Sequence, residues 1–317
     1  MSRESIVRGV FRLPFLLGAS FWIALALASF SSHIHIGIIE VLFLLGPWIV
    51  VPLGADLIRG VATPPSSGGV RDWALFTAAL LTTASFFLDN RVVATWFASS
   101  WLLICAAFAG DGLRRFVISG TKSFAQFCFA TGEGYLLVAG IWLVASRAGI
   151  SLFGFHEPIV LLTAVHFHFA GFASAVLAGL VHQAFVGRSG QRMLRWALTI
   201  VVLGPGVLGL AFFAGPKAKL VGALVFALGL LGLASAMIRV GIAAKNGLAR
   251  WLLFASGGSV GVGMILVAVW AAGEYPLQAF VNIRQMAEFH GVLNGVGFVG
   301  CGLVGWRLLK AGQSVAR

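Results

Sequence analysis

Long apolar segments follow one another along almost the whole chain, and this pattern limits the possible folds more than any other feature. A helix that crosses a bilayer needs about 20 mostly apolar residues. Ten segments approach that requirement, at residues 12–31, 36–57, 73–88, 92–110, 125–146, 158–185, 194–214, 218–239, 250–271 and 286–308. Only 10% of the residues are charged, whereas a soluble globular domain carries about 25%. The sequence therefore predicts an all-α fold, a polytopic transmembrane helix bundle with about ten spans, forming a single integral membrane domain over residues 1–317.

The distribution of Lys and Arg predicts the orientation of this bundle. If the N-terminus is cytoplasmic and all ten segments cross, 17 of the 22 Lys and Arg residues fall on the cytoplasmic side. Membrane proteins carry such an excess of cations in their cytoplasmic loops. We therefore expect both termini in the cytoplasm. We attribute the net charge of +12 to this bias, and we expect the lipid bilayer, and no nucleic acid, as a partner.

Several polar side chains lie inside or at the ends of these apolar segments. Ionisable residues are costly at membrane depth, so they usually face the bundle interior and often mark function. The polar residues that stand out in this way are Glu40, Glu133, Thr163, His166, His168, Glu288, His290 and Asn294. In the predicted orientation all of them except Glu133 belong to the outer half of the membrane, and Glu133 lies nearer the middle.

Helix geometry separates these residues into candidate roles. His290 and Asn294 are four residues apart and share a helix face, as do Thr163 and His166 at a spacing of three. His166 and His168 point in opposite directions, about 200° apart on a regular helix, so both cannot line one narrow site. We favour His166, because it shares a face with Ala170, whose small side chain leaves space beside the imidazole. For each histidine, packing or a structural hydrogen bond remains an alternative explanation.

An imidazole and a carboxylate in a pocket of low dielectric constant form an acid–base pair. We therefore predict catalytic roles for His166, His290, Glu40 and Glu133. Substrate-binding or supporting roles are predicted for His168, Asn294, Thr163 and Glu288.

No cofactor is expected from the sequence. The three cysteines lie in apolar segments without ligand-like spacing, and the histidines match no strong metal-binding signature. A metal ion or haem held by His166 and His290 remains the alternative.

Three short motifs carry a resemblance to a known family. They are PLG at residues 52–54, LLTAVHFHFAGF at 161–172 and HGVLNGVGF at 290–298. In these segments the chain resembles the YndJ-like family of bacterial membrane proteins. The resemblance implies a multi-pass protein of the bacterial inner (cytoplasmic) membrane and marks His166, His168, His290 and Asn294 as motif positions. It implies no established activity.

Three classes of function are compatible with these features. The first, which we favour, is a membrane-embedded enzyme whose His/Glu acid–base site isomerises, cyclises or opens an epoxide in a lipophilic small-molecule substrate. The second is a transporter or proton-coupled permease, because His and Glu in a helix bundle also form proton relays. The third is a structural or assembly protein in which the polar groups join helices.

Overall fold

The computed structural model describes residues 11–29, 31, 34, 36–60, 69–119, 123–274 and 283–315. Parts of the predicted termini and loops lie outside these described residues. Within them the protein is all-helical apart from one isolated bridge in the loop at residues 149–158. The predicted all-α fold is therefore confirmed.

Ten helices occur in the described part of the chain, and each overlaps one predicted span. They are α1 (Leu13–Ser29), α2 (Ile38–Arg59), α3 (Gly69–Ser85), α4 (Arg91–Ser119), α5 (Phe124–Ala148), α6 (Ile159–Ala184), α7 (Gln191–Ala211), α8 (Pro216–Ala243), α9 (Gly247–Glu274) and α10 (283–315). Eight of them are long and apolar enough to cross a membrane, and α1 is a shorter apolar helix. The remaining helix, α3, has 17 residues and carries two charged side chains in its first turn region. The result is a polytopic helical bundle.

Ion pairs join the helix ends that the sequence assigns to one side of the membrane. Arg12, just before α1, pairs with Asp72 at the start of α3 at 2.6 Å. Arg307 near the end of α10 pairs with Asp56 near the end of α2 at 3.3 Å. The first and last helices therefore meet at the same end of the bundle, which holds most of the arginines. We call it the inner end and the opposite one the outer end.

Helices α2 and α6 form the centre of the bundle and are the most deeply buried of the candidate spans. Their apolar side chains cover every face, as expected for a helix surrounded by other helices. Phe43, Phe172 and Leu177 are fully buried at this centre, together with Trp101 of α4. A polar side chain on the buried faces of α2 or α6, such as His168, is thus held among packed helices.

Three helices widen locally into π-helical turns. The widened segments are Gly46–Val50 in α2, Phe167–Ala173 in α6, and Ala287–Gly291 with Leu293–Gly300 in α10. In α2 the cause is visible in the sequence, because Pro47 has no N–H group to donate to the preceding turn. Such π-helical turns are rare and occur frequently at functional sites.

Glycines bring α2, α6 and α10 against one another. A Cβ at Gly54 of α2 would lie 2.6 Å from the ring of Phe172 in α6. A Cβ at Gly295 of α10 would lie 2.9 Å from the ring of Phe169 in α6. Only glycine permits such approaches. The three motif segments of the sequence therefore meet at one junction, which we call the α2–α6–α10 junction.

Candidate functional site

His168 is a fully buried structural residue at the α2–α6–α10 junction. Its Nδ1 donates to the carbonyl of Ala164 at 2.8 Å, and its Nε2 accepts from Trp101 Nε1 at 3.0 Å. The ring also makes an edge contact with Phe43, with centroids 5.3 Å apart, and packs over Gly46. Because a carbonyl accepts and an indole N–H donates, both ring nitrogens are satisfied only in the neutral form. His168 thus ties α6 to α2 and α4.

His166 faces the other way, as the helix geometry predicted. Its Nδ1 donates to the carbonyl of Leu162 at 2.7 Å, which leaves Nε2 as an acceptor in the neutral ring. No partner of Nε2 occurs among the residues that the structure describes. The side chain is exposed at the surface of α6.

His290 lies on α10 with the same arrangement of its ring nitrogens. Its Nδ1 donates to the carbonyl of Gly263 in α9 at 3.1 Å, so that Nε2 again carries the lone pair. Asn294, one turn further along, donates its amide to the backbone oxygen of His290 at 2.8 Å. The same amide nitrogen lies 3.1 Å from Nδ1 and 3.5 Å from Nε2 of the ring. The amide of Asn294 therefore contacts both the backbone and the ring of His290.

His166 and His290 lie on helices that approach the same part of α2. Their helix segments both pack against Ile38–Leu45, the outer half of α2. On the α10 side this approach depends on Gly291, where a Cβ would lie 2.6 Å from a methyl group of Leu42. The structure therefore places the two histidines, which the sequence put on separate spans, beside the same outer half of α2. We call His166, His290 and Asn294 the histidine site.

Thr163 and Glu288 flank the histidine site, but their polar atoms are engaged elsewhere. The hydroxyl of Thr163 donates to the carbonyl of Ile159 at 2.8 Å. Glu288 pairs with Arg284 one turn away at 2.9 Å, and both side chains are exposed at the surface of α10. An exposed pair of this kind contributes little to stability. Neither residue donates to or accepts from the two histidines.

Glu133 is held by a partner that the sequence analysis did not identify. Its buried carboxylate accepts from Arg115 Nε at 3.2 Å and from Arg115 Nη2 at 3.4 Å, a two-pronged contact between α4 and α5. Gly112 gives it room, since a Cβ there would lie 2.9 Å from the Cβ of Glu133. The structure therefore places Glu133 in an interhelical ion pair on the inner side and does not bring it to the histidine site.

Glu40 lies in the first turn of α2 at the outer end, where a negative charge is favourable. It interacts electrostatically with Arg147 at the end of α5, as does Glu157 from the loop before α6. No hydrogen bond joins Glu40 to His166 or His290 in the described part of the chain. The structure therefore does not bring Glu40 into hydrogen-bonding contact with either histidine.

Sequence reasoning also missed Tyr135, whose hydroxyl is inserted into the backbone of α7. The hydroxyl donates to the carbonyl of Val202 at 2.9 Å and accepts from the N–H of Gly206 at 3.2 Å. These two backbone groups would bond each other in a regular helix, and the intervening Pro205 disrupts that turn. The Gly-Pro-Gly sequence of α7 predicts a disrupted backbone hydrogen bond in this helix. No sequence pattern indicates that the hydroxyl of Tyr135 would replace that bond.

Metal ligands do not gather in the described structure. Among the residues described there is no group of three or more His, Cys, Asp or Glu side chains positioned to hold a metal ion. The histidine site supplies two imidazoles and an amide, which suit proton transfer and hydrogen bonding.

Comparison with known proteins identifies the family of this chain. The family described as "YndJ-like protein" matches residues 41–298, which include all three motif segments. A protein of Bacillus subtilis named "Uncharacterized membrane protein YndJ" is 24% identical over 177 residues, covering 56% of this chain. The chain spans about a third of that relative's length, 32%. No solved structure matches the chain. Because the family match extends over most of the chain, the protein belongs to the YndJ-like family.

Proposed function

We propose that this member of the YndJ-like family is a membrane-embedded enzyme in which His166 and His290 perform acid–base chemistry on a lipophilic small molecule. The observation that carries the proposal is the shared geometry of the two rings. Each Nδ1 donates to a backbone carbonyl, so each Nε2 keeps a lone pair, and the two helix segments pack against the same half of α2. We further propose the bacterial inner membrane as its location.

The expected chemistry uses one imidazole as a base and the other as an acid. Before the reaction, one ring takes up a proton from water. The neutral Nε2 of the other ring then removes a proton from carbon or from a water molecule, while the protonated ring delivers its proton to an oxygen of the substrate. Transfer of the removed proton from the ring that acted as base to the ring that acted as acid, through water, restores the starting state. Asn294 would hold the substrate oxygen. Isomerisation, cyclisation and epoxide opening all fit this scheme.

The surroundings of His290 support a lipophilic substrate. His290 is flanked on α10 by the exposed apolar side chains of Phe289 and Val292. His166 lies seven residues into α6, or about 10 Å below the outer end at 1.5 Å per residue. A molecule dissolved in the outer half of the bilayer would reach that depth without crossing the membrane.

Deuterium incorporation tests this proposal even while the substrate is unidentified. Proteoliposomes made with a bacterial lipid extract would be incubated in deuterated water, and the extracted small molecules compared by mass spectrometry. The wild-type protein should introduce solvent deuterium, or one water, into at least one compound, and H166N and H290N should not. His182→Asn is the matched control, because His182 lies on the same helix at the inner end. Equal labelling by all four proteins contradicts the proposal.

Proton-coupled transport is the second candidate, because imidazoles in a helix bundle also form proton relays. Against it, α6 continues below His166 with fully buried apolar side chains such as Phe172 and Leu177. A pH-sensitive dye inside the same proteoliposomes distinguishes the two. Proton uptake that depends on His166 and His290, without chemical change in any compound, would favour transport.

A further inference from the structure

A cavity of about 450 Å³ opens between α5 and α7 at the inner end of the bundle. It lies at the first turn of both helices, far along the bundle from the histidine site. Its lining residues combine two cations, three aromatic rings and one hydroxyl, and they are Phe124, Phe127, Arg192, Arg195, Trp196 and Thr199. We call it the α5–α7 cavity.

The two arginines of the α5–α7 cavity have no carboxylate partner among the described residues. The guanidinium of Arg195 instead rests over the ring of Phe124, at 5.0 Å from the ring centroid. No Asp or Glu occurs anywhere between residues 158 and 273, so the surrounding inner loops add only positive charge. In contrast, Arg12, Arg59 and Arg307 at the same end all pair with aspartates. The cavity thus presents a positive charge that the protein itself does not neutralise.

Backbone groups strengthen the attraction for an anion. Helix α7 begins after Gly190, which offers no side-chain cap. The free N–H groups of a first turn favour negative charge. Thr199 donates its hydroxyl to the carbonyl of Arg195 and holds the second turn in place.

The aromatic part of the cavity indicates what kind of anion fits. Trp196 is 69% exposed, and exposed Trp side chains are typical of the membrane–water interface. Phe124 and Phe127 form the apolar wall beside it. A free phosphate would use the arginines alone, whereas a phospholipid would place its phosphate on the arginines and its acyl chain along the rings. We propose that the α5–α7 cavity binds the headgroup of an anionic phospholipid from the inner leaflet.

Native mass spectrometry of the full chain, purified in mild detergent, tests this proposal. The wild-type protein, R192Q/R195Q and R188Q/R239Q would each be titrated with dioleoyl-phosphatidylglycerol, dioleoyl-phosphatidylcholine and glycerol phosphate. R188Q/R239Q is the matched control, because it removes the same charge from arginines that also rest on a ring, Phe185, outside the cavity. Unfolding temperatures without lipid would check that both variants fold.

Phosphatidylglycerol should bind the wild type and R188Q/R239Q alike, and its affinity for R192Q/R195Q should fall by about 30-fold. Phosphatidylcholine should not discriminate among the three proteins. Equal losses in the two double variants would mean that the general charge of the inner end, not the cavity, attracts lipid. Displacement of phosphatidylglycerol by equimolar glycerol phosphate would mean that the cavity recognises a soluble phosphate. Either result overturns the proposal.

Discussion

Replacement of His168 by alanine should destabilise the protein far more than replacement of His166 two residues earlier. His168→Ala removes the acceptor of the Trp101 N–H, which lies in a fully buried position. An orphaned buried donor costs about 1–3 kcal/mol, and an aromatic side chain removed from a packed core costs about 3–5 kcal/mol. These terms overlap, so we expect a loss of about 3–5 kcal/mol in the free energy of unfolding. For His166→Ala, which removes an exposed ring, we expect less than about 1 kcal/mol.

Unfolding of the two variants in mixed micelles, followed as the fraction of sodium dodecyl sulfate increases, measures this difference. A double-mutant cycle with Trp101→Phe isolates the contact itself. Because the Trp101 ring donates a hydrogen bond directly to the His168 ring, the destabilisation of the double variant should be smaller than the sum for the two single variants by about 1–2 kcal/mol. Equal destabilisation by His166→Ala and His168→Ala would refute the division of roles between the two histidines. So would strict additivity of His168→Ala with Trp101→Phe.

Three further substitutions test contacts between helices by the same unfolding assay. Tyr135→Phe should cost about 1–3 kcal/mol, because two backbone groups of α7 lose the hydroxyl that joins them; an unchanged midpoint would contradict this insertion. Glu133→Gln should lower the free energy of unfolding by about 1–3 kcal/mol, a moderate loss because Arg115 retains some access to water. An increase in the free energy of unfolding would contradict a stabilising role for this ion pair. Gly54→Ala should cost about 1–3 kcal/mol by forcing a methyl group against the ring of Phe172. The control Gly134→Ala, with open space around it, should be neutral, and equal effects at the two glycines would contradict the close approach.

The helices and their directions could be predicted from sequence because those signals are local. Each span needs only a sufficient length of apolar residues, and the cations bias the loops independently of tertiary packing. The ion pairs of Arg12 with Asp72 and of Arg307 with Asp56 agree with the predicted alternation. The π-helical turns of α6 and α10 could not be predicted, because their widened turns accompany packing against neighbouring helices rather than a proline in the segment.

The candidate site could be predicted only in part. The opposite directions of His166 and His168 follow from helix geometry, and the approach of α10 could be expected from the glycine after His290. The ion pair of Glu133 could not be predicted from sequence, because its partner Arg115 lies on the neighbouring helix, 18 residues away. Partners across a helix pair depend on the rotation of both helices, which the chain alone does not specify.

Nuclear magnetic resonance of the protein in lipid bilayers, with isotope-labelled histidine, would show whether His166 and His290 form one site. Signals of the two residues would be assigned from the spectra of H166N and H290N. We expect neutral rings protonated at Nδ1 for both residues, and a through-space correlation between the two imidazoles. Rings protonated at Nε2, or the absence of any correlation between His166 and His290, would contradict a shared histidine site.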